Sequence, residues 1–115
     1  MTFDAMAAAV DWLDAYRAGD IETLLDMYQD DAVTECSCDR LTIVGQDGLR
    51  AYWERRLRQH PASDLDDLKP SDDGATVCYV TPEGLVSAVL QFAADGRIAA
   101  VRCGSAQASS AGSRA

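Results

Sequence analysis

The sequence predicts an α+β fold: three helices packed on one face of a curved, mainly antiparallel sheet, so that sheet and helices together form a cone. Two observations predict it. Up to His60 the longer apolar stretches recur at helical spacings of three and four, and from Asp64 onward they alternate at spacing two between turn signals. Helices first and a meander after is the order of an α+β protein. Length agrees, because 115 residues that are 48% hydrophobic and 25% charged suffice for one core.

Thr2 is the expected N-cap of a first helix reaching about Arg17, with Asp4 near its positive end. Phe3, Met6, Ala7, Val10, Trp12 and Leu13 form its inner face, and Gly19 stops it. Asp20 caps a second helix, Ile21 to Tyr28, which Asp30 and Asp31 end. Ala32 to Cys38 and Leu41 to Val44 read as strands. Gly45-Gln46-Asp47-Gly48 opens a third helix that runs to about His60, before Pro61, with Leu49, Tyr52, Trp53 and Leu57 as its inner stripe and an Arg50–Glu54 pair outside. Asp64 to Lys69, Ala75 to Thr81, Leu85 to Ala93 and Arg97 to Cys103 are the remaining strands. Turns at Ser71–Gly74, Thr81–Gly84 and Asp95-Gly96 separate them. Residues 1–104 make the domain, and 105–115, which lack a large apolar side chain, are expected to be a disordered tail.

Nineteen acids against ten bases leave a net charge of −9. That argues against nucleic acid or an anionic membrane surface as partner, since both are bound chiefly through Lys and Arg. No apolar run approaches the roughly 20 residues of a membrane span, and the start of the chain lacks the pattern of a secretory leader, so a cytoplasmic location is expected. The four cysteines, at 36, 38, 78 and 103, show no zinc spacing and read as reduced, mostly buried thiols; no metal or cofactor is expected.

Four stretches in order carry a resemblance: Ala18-Gly19-Asp20-Ile21-Glu22-Thr23-Leu24-Leu25-Asp26-Met27-Tyr28, then Asp30-Asp31-Ala32-Val33, then Gly45 through Trp53, then Phe92-Ala93-Ala94-Asp95-Gly96-Arg97-Ile98 with Val101-Arg102. Across roughly residues 4–104 this order resembles the nuclear transport factor 2-like superfamily, which includes the SnoaL-like polyketide cyclases and the ketosteroid isomerases. The resemblance implies a cystatin-like cone with a pocket; it does not fix an activity, because this fold carries enzymes, binding modules and assembly partners alike.

Ketosteroid isomerases use a tyrosine donor on the first helix, an aspartate base on the first strand and a protonated acid on a later strand, so that a proton moves beside a carbonyl while donors hold the oxyanion. Those places fall on Trp12, Cys36 and Ala88, all different here. Catalytic candidates reduce to Cys36 and to Asp39 in the following loop; Glu35 points to the opposite strand face, and His60, the only histidine, reads as an exposed helix-end residue. The resemblance places Trp12, Tyr16, Tyr28, Cys36, Cys38, Tyr52, Trp53, Ala88, Leu90, Phe92, Val101 and Cys103 around a pocket, with core packing as the alternative for each. Arg50, Arg55, Arg56 and Arg58 read as a solvated helix face, or as a contact for the acidic helices of a second subunit. A homodimer through the outer sheet face, near Leu85, Ser87, Val89 and Gln91, is expected by analogy. The leading functional reading is a cone that binds a small apolar or aromatic molecule. The alternatives are a cyclase, isomerase or dehydratase with non-standard residues, and an interaction module whose cone is plugged.

Overall fold

In a computed structural model that describes residues 4–37 and 40–105, helix α1 spans Ala5–Ala18. Its N-cap is Asp4, whose carboxylate accepts from the N–H groups of Met6 and Ala7 at 3.1 Å each. Thr2 and Phe3 lie outside the described residues. Gly19 ends the helix with φ +71°, a conformation that costs glycine nothing. The buried face is Ala9, Trp12, Leu13, Ala15 and Tyr16, while Ala7 is exposed. Asp20 caps α2 as its sequence suggests, accepting from Thr23 N–H at 3.2 Å.

Helix α2 is shorter than expected, Ile21–Asp26, and Tyr28 begins the first strand, β1 (Tyr28–Cys36). The cause is tertiary. Ile98 N–H donates to the Met27 carbonyl at 2.7 Å and Tyr28 pairs with Ile98, so the last strand draws the chain out of the helix. Asp30 and Asp31 therefore lie within β1, both exposed, where its register against that strand shifts.

Strand β2 (Leu41–Val44) leads to Gly45, at φ +91°, and then to α3 (Gln46–Gln59). Strands β3 (Leu65–Ser71), β4 (Gly74–Thr81), β5 (Gly84–Phe92) and β6 (Ile98–Ser105) follow. Among the described residues the sheet order is β2-β1-β6-β5-β4-β3, antiparallel throughout except for the β1–β6 pair. A mixed sheet follows from this chain order, because β6 returns between β1 and β5.

Along β4 and β5, burial alternates as period two requires, with Ala75, Val77, Tyr79 and Thr81 facing the helices beside Val86, Ala88 and Leu90. On β6 the simple alternation that would place Ala99 on one face with Val101 and Cys103 is broken. Gln91 pairs with Ala100 but Phe92 with Ile98, so Ala99 is an extra residue that flips the alternation and turns Ile98 inward. The edge strand β3 carries Asp66, Asp67, Lys69 and Pro70, which discourage pairing with another chain. No helix among the described residues is long and apolar enough to cross a membrane.

Candidate functional site

Both tryptophans and all four tyrosines of the chain converge on one cluster inside the cone. Trp12 and Tyr16 come from α1, Tyr52 and Trp53 from α3, Tyr28 from β1 and Tyr79 from β4. The rings of Trp12, Tyr16, Tyr52, Trp53 and Tyr79 meet edge to face, with centroids 4.7 Å apart for Tyr16–Trp53, 5.3 Å for Tyr16–Tyr79, 5.5 Å for Tyr52–Trp53 and 5.9 Å for Trp12–Trp53 and Trp12–Tyr79. Trp12 Nε1 donates to the Tyr28 hydroxyl at 3.0 Å, and the Tyr16 hydroxyl donates to the His60 carbonyl at the end of α3.

Arg56 sits among these rings, only 3% exposed. This overturns the expectation of a solvated arginine face at Arg56, whereas Arg50 and Arg58 are exposed as expected and Arg55 is half-buried. Its Nη2 donates to the Tyr79 hydroxyl at 3.2 Å and its Nη1 faces Cys36 Sγ at 3.9 Å. The guanidinium carbon lies 5.9 Å from the Tyr16 ring centre and 5.8 Å from that of Tyr52. Arg50 is exposed and pairs with Glu22 of α2 in the same chain, at 2.8 and 3.2 Å, rather than with Glu54. That pair holds the Glu22 carboxyl below its ordinary range.

Among the described residues the rings enclose a void of about 10 Å3, enough for one water, lined by Trp12, Tyr28, Thr34, Tyr52, Trp53, Arg56, Tyr79, Val101 and Cys103. Thr34 Oγ1 and Trp53 Nε1 are buried there without a hydrogen-bond partner, although Trp53 stands close enough to the Tyr28 hydroxyl to favour its ionised form. Arg56 also lines a second space, about 110 Å3, with His60, Thr81, Glu83, Gly84, Leu85 and Val86. This space forms a mouth between the end of α3 and the β4–β5 turn, where His60 Nδ1 bonds Glu83 Oε1 at 2.7 Å.

Burial raises the hydroxyl pKa of Tyr28 and Tyr52 and carries that of Tyr79 well above the ordinary value. Burial raises Tyr16 as well, against the pull of the Arg56 charge. The Cys103 thiol is raised first by its hydrogen bond with Cys36, then by burial. These groups are neutral at pH 7. Burial works against the Arg56 charge and the neighbouring tyrosine oxygens work for it; the net effect is upward, and the guanidinium stays charged.

Of the residues expected around a pocket, Trp12, Tyr28, Tyr52, Trp53, Val101 and Cys103 line the void, with Tyr16 and Cys36 touching it through Arg56. Ala88 and Leu90 are fully buried in the sheet, outside the void's lining. Phe92 is half-buried and lines a separate surface depression with Met27 and Ile98, because the Ala99 bulge changes the sheet's face beside it. Cys38 and Asp39 lie outside the described residues.

Arg56, Tyr79 and Thr34 were missed, and each had a signal. Arg56 continues the α3 stripe Leu49, Tyr52, Trp53 at the next helical position; Tyr79 and Thr34 share strand faces with Val77 and Cys36 by simple alternation.

A family model described as a SnoaL-like domain matches residues 9–104. The chain belongs to that family, and its cone-shaped α+β fold is the one seen in nuclear transport factor 2-like structures. Among solved structures it is similar to a SnoaL-like protein of unknown function from Burkholderia thailandensis E264. The identity is 21%, with 86% of this chain and 92% of the other covered and a TM-score of 0.77. It is also similar to an NTF-2 like protein of unknown function from Burkholderia xenovorans LB400, at 17% identity, with 86% and 80% covered and a TM-score of 0.69. At these identities the likeness concerns the fold. No curated protein gives a significant match.

Proposed function

We propose that this SnoaL-like domain binds a compact, largely apolar organic molecule that enters by the mouth and reaches the aromatic interior. The observation that carries the reading is Arg56, which forms the wall between the mouth and the void and is shared by both. Movement of this one long side chain joins the two spaces, and Leu85 and Val86 offer an apolar lining on the outer side. The two spaces among the described residues, about 10 and 110 Å3, suit a ligand smaller than the drug-sized molecules that fill pockets of roughly 300 Å3 and above.

Binding without proton abstraction is the favoured form of the proposal. Among the described residues no carboxylate lines the void, and its tyrosine hydroxyls and the Cys103 thiol are held neutral, so none of the described residues lining the void is a ready base near neutral pH. A homodimer through the outer sheet face belongs to the same proposal, since Leu85, Ser87, Val89 and Gln91 share a half-exposed face; light scattering measures the mass directly.

The small void favours one other reading, an interaction module whose cone is closed by its own aromatic rings. Thermal shift and tryptophan fluorescence against a panel of small aromatic acids, alcohols, amides and terpenoids separate the two. Trp12 and Trp53 are the only tryptophans, so a ligand entering the cone changes their emission. A ligand at 100 times its Kd adds about 2.7 kcal/mol and raises the Tm visibly. A flat response in both signals replaces the binding reading with the closed module.

A further inference from the structure

We propose that Arg56 is an anion anchor, and that the ligand of the cone is a small organic acid whose carboxylate meets the guanidinium while its apolar part occupies the mouth. This rests on the binding reading above and names the chemical class that it leaves open.

Among the described residues, Arg56 is a buried cation in a neutral shell. Its contacts are the Tyr79 hydroxyl, the Cys36 sulfur and the faces of Tyr16 and Tyr52, and no carboxylate among the described residues pairs with it. Taking a guanidinium out of water costs several kcal/mol unless an opposite charge and further hydrogen bonds compensate, so buried arginines are ordinarily paired. Five N–H donors in a planar fork are shaped for a carboxylate, and neutral oxygen and sulfur acceptors match that fork poorly.

A second, independent observation points the same way. Thr34 Oγ1 and Trp53 Nε1, on different elements, are buried in the void without a well-formed hydrogen bond, the indole lying near the Tyr28 hydroxyl that already accepts from Trp12. An indole N–H can only donate, and a threonine hydroxyl can donate as readily as it accepts. The void thus collects a cation and unused donors, with no charged acceptor among the described residues that line it. An acceptor-rich, negatively charged group satisfies all three at once, whereas an amine or a purely apolar molecule leaves them as they are.

Geometry sets the orientation. Arg56 reaches the void on one side and the mouth on the other, and the mouth beyond it carries Leu85 and Val86 with Glu83 tied to His60 at the rim. A monocarboxylate with a small ring or short alkyl group fits this sequence of charge then apolar wall. A dianion would place its second charge near Glu83.

The test compares phenylacetate with its neutral amide, phenylacetamide, on the intact protein at pH 7 by calorimetry. A charge-assisted bidentate contact predicts at least a tenfold preference for the acid. Arg56→Met should abolish that preference while leaving weak binding of the amide, and Arg56→Lys should retain part of it. Equal affinity of the unaltered protein for acid and amide overturns the anchor but leaves the binding reading intact, and this comparison needs no variant to fold. Binding of neither compound, nor of any member of the wider panel, overturns both. Preference for the acid that survives Arg56→Met places the anion elsewhere and also overturns the anchor.

Discussion

Raising the pH past the ordinary tyrosine range should unfold this domain in one steep step. All four tyrosines are 1–3% exposed, and burial raises the pKa of each in the fold. In the unfolded chain they ionise near pH 10, so above that pH the unfolded state releases protons that the folded state retains. Stability from these groups is complete below about pH 10 and falls as pH rises. By pH 11, each tyrosine kept neutral costs about 1.4 kcal/mol, so Tyr28, Tyr52 and Tyr79 together cost about 4. Cys103 adds about 3, because an unfolded thiol ionises near 8.5. Tyr16 contributes less, since it faces the Arg56 charge. A total of about 7 kcal/mol is most of the stability expected for a domain of this size. Far-UV circular dichroism and phenolate absorbance, followed through one alkaline titration, check the reasoning. Few phenolates should appear while the dichroism is native, and the rest should appear together as it collapses. A smooth phenolate curve centred near pH 10 with the fold intact would refute a closed aromatic box.

The other predictions concern packing and the Arg56 shell. Leu90→Ala empties a fully buried position and should cost 2–5 kcal/mol in urea denaturation, with the larger value if the sheet cannot close the gap. Gly74→Ala should cost at least 1–3 kcal/mol, because a Cβ there would stand 1.8 Å from the Leu90 carbonyl oxygen and would force β4 off β5. Tyr79→Phe removes the hydroxyl that accepts from Arg56 and should lower stability by roughly 1–3 kcal/mol. A Tm unchanged by Tyr79→Phe would show that water replaces that contact freely.

Local rules made much of the architecture legible. Gly19 and Asp20 mark the junction of α1 and α2, and the Gly45 loop marks the start of α3, because these positions are set by φ preference and capping within a few residues. Strand alternation assigned Glu35 outward and Cys36 inward correctly. The limits of α2 and the inward face of β6 were not legible. Tyr28 leaves the helix because a strand 70 residues later offers it a partner, and Ala99 becomes a bulge only when β5 lies beside it. Pairing across the chain has no local signature.

The same division runs through the site. Sequence by itself determined the α+β class and an interior rich in Trp12, Tyr52 and Trp53, since apolar periodicity states which helix face turns inward, while the order of its motifs carried the resemblance to the family. Only the tertiary structure decided that Arg56 turns inward with them. A charged residue at a core position of a helix is equally compatible with a frayed stripe and with a buried cation. The choice is made by what the rest of the chain brings to it: the Tyr79 hydroxyl from β4, the Tyr16 ring from α1 and the Cys36 thiol from β1.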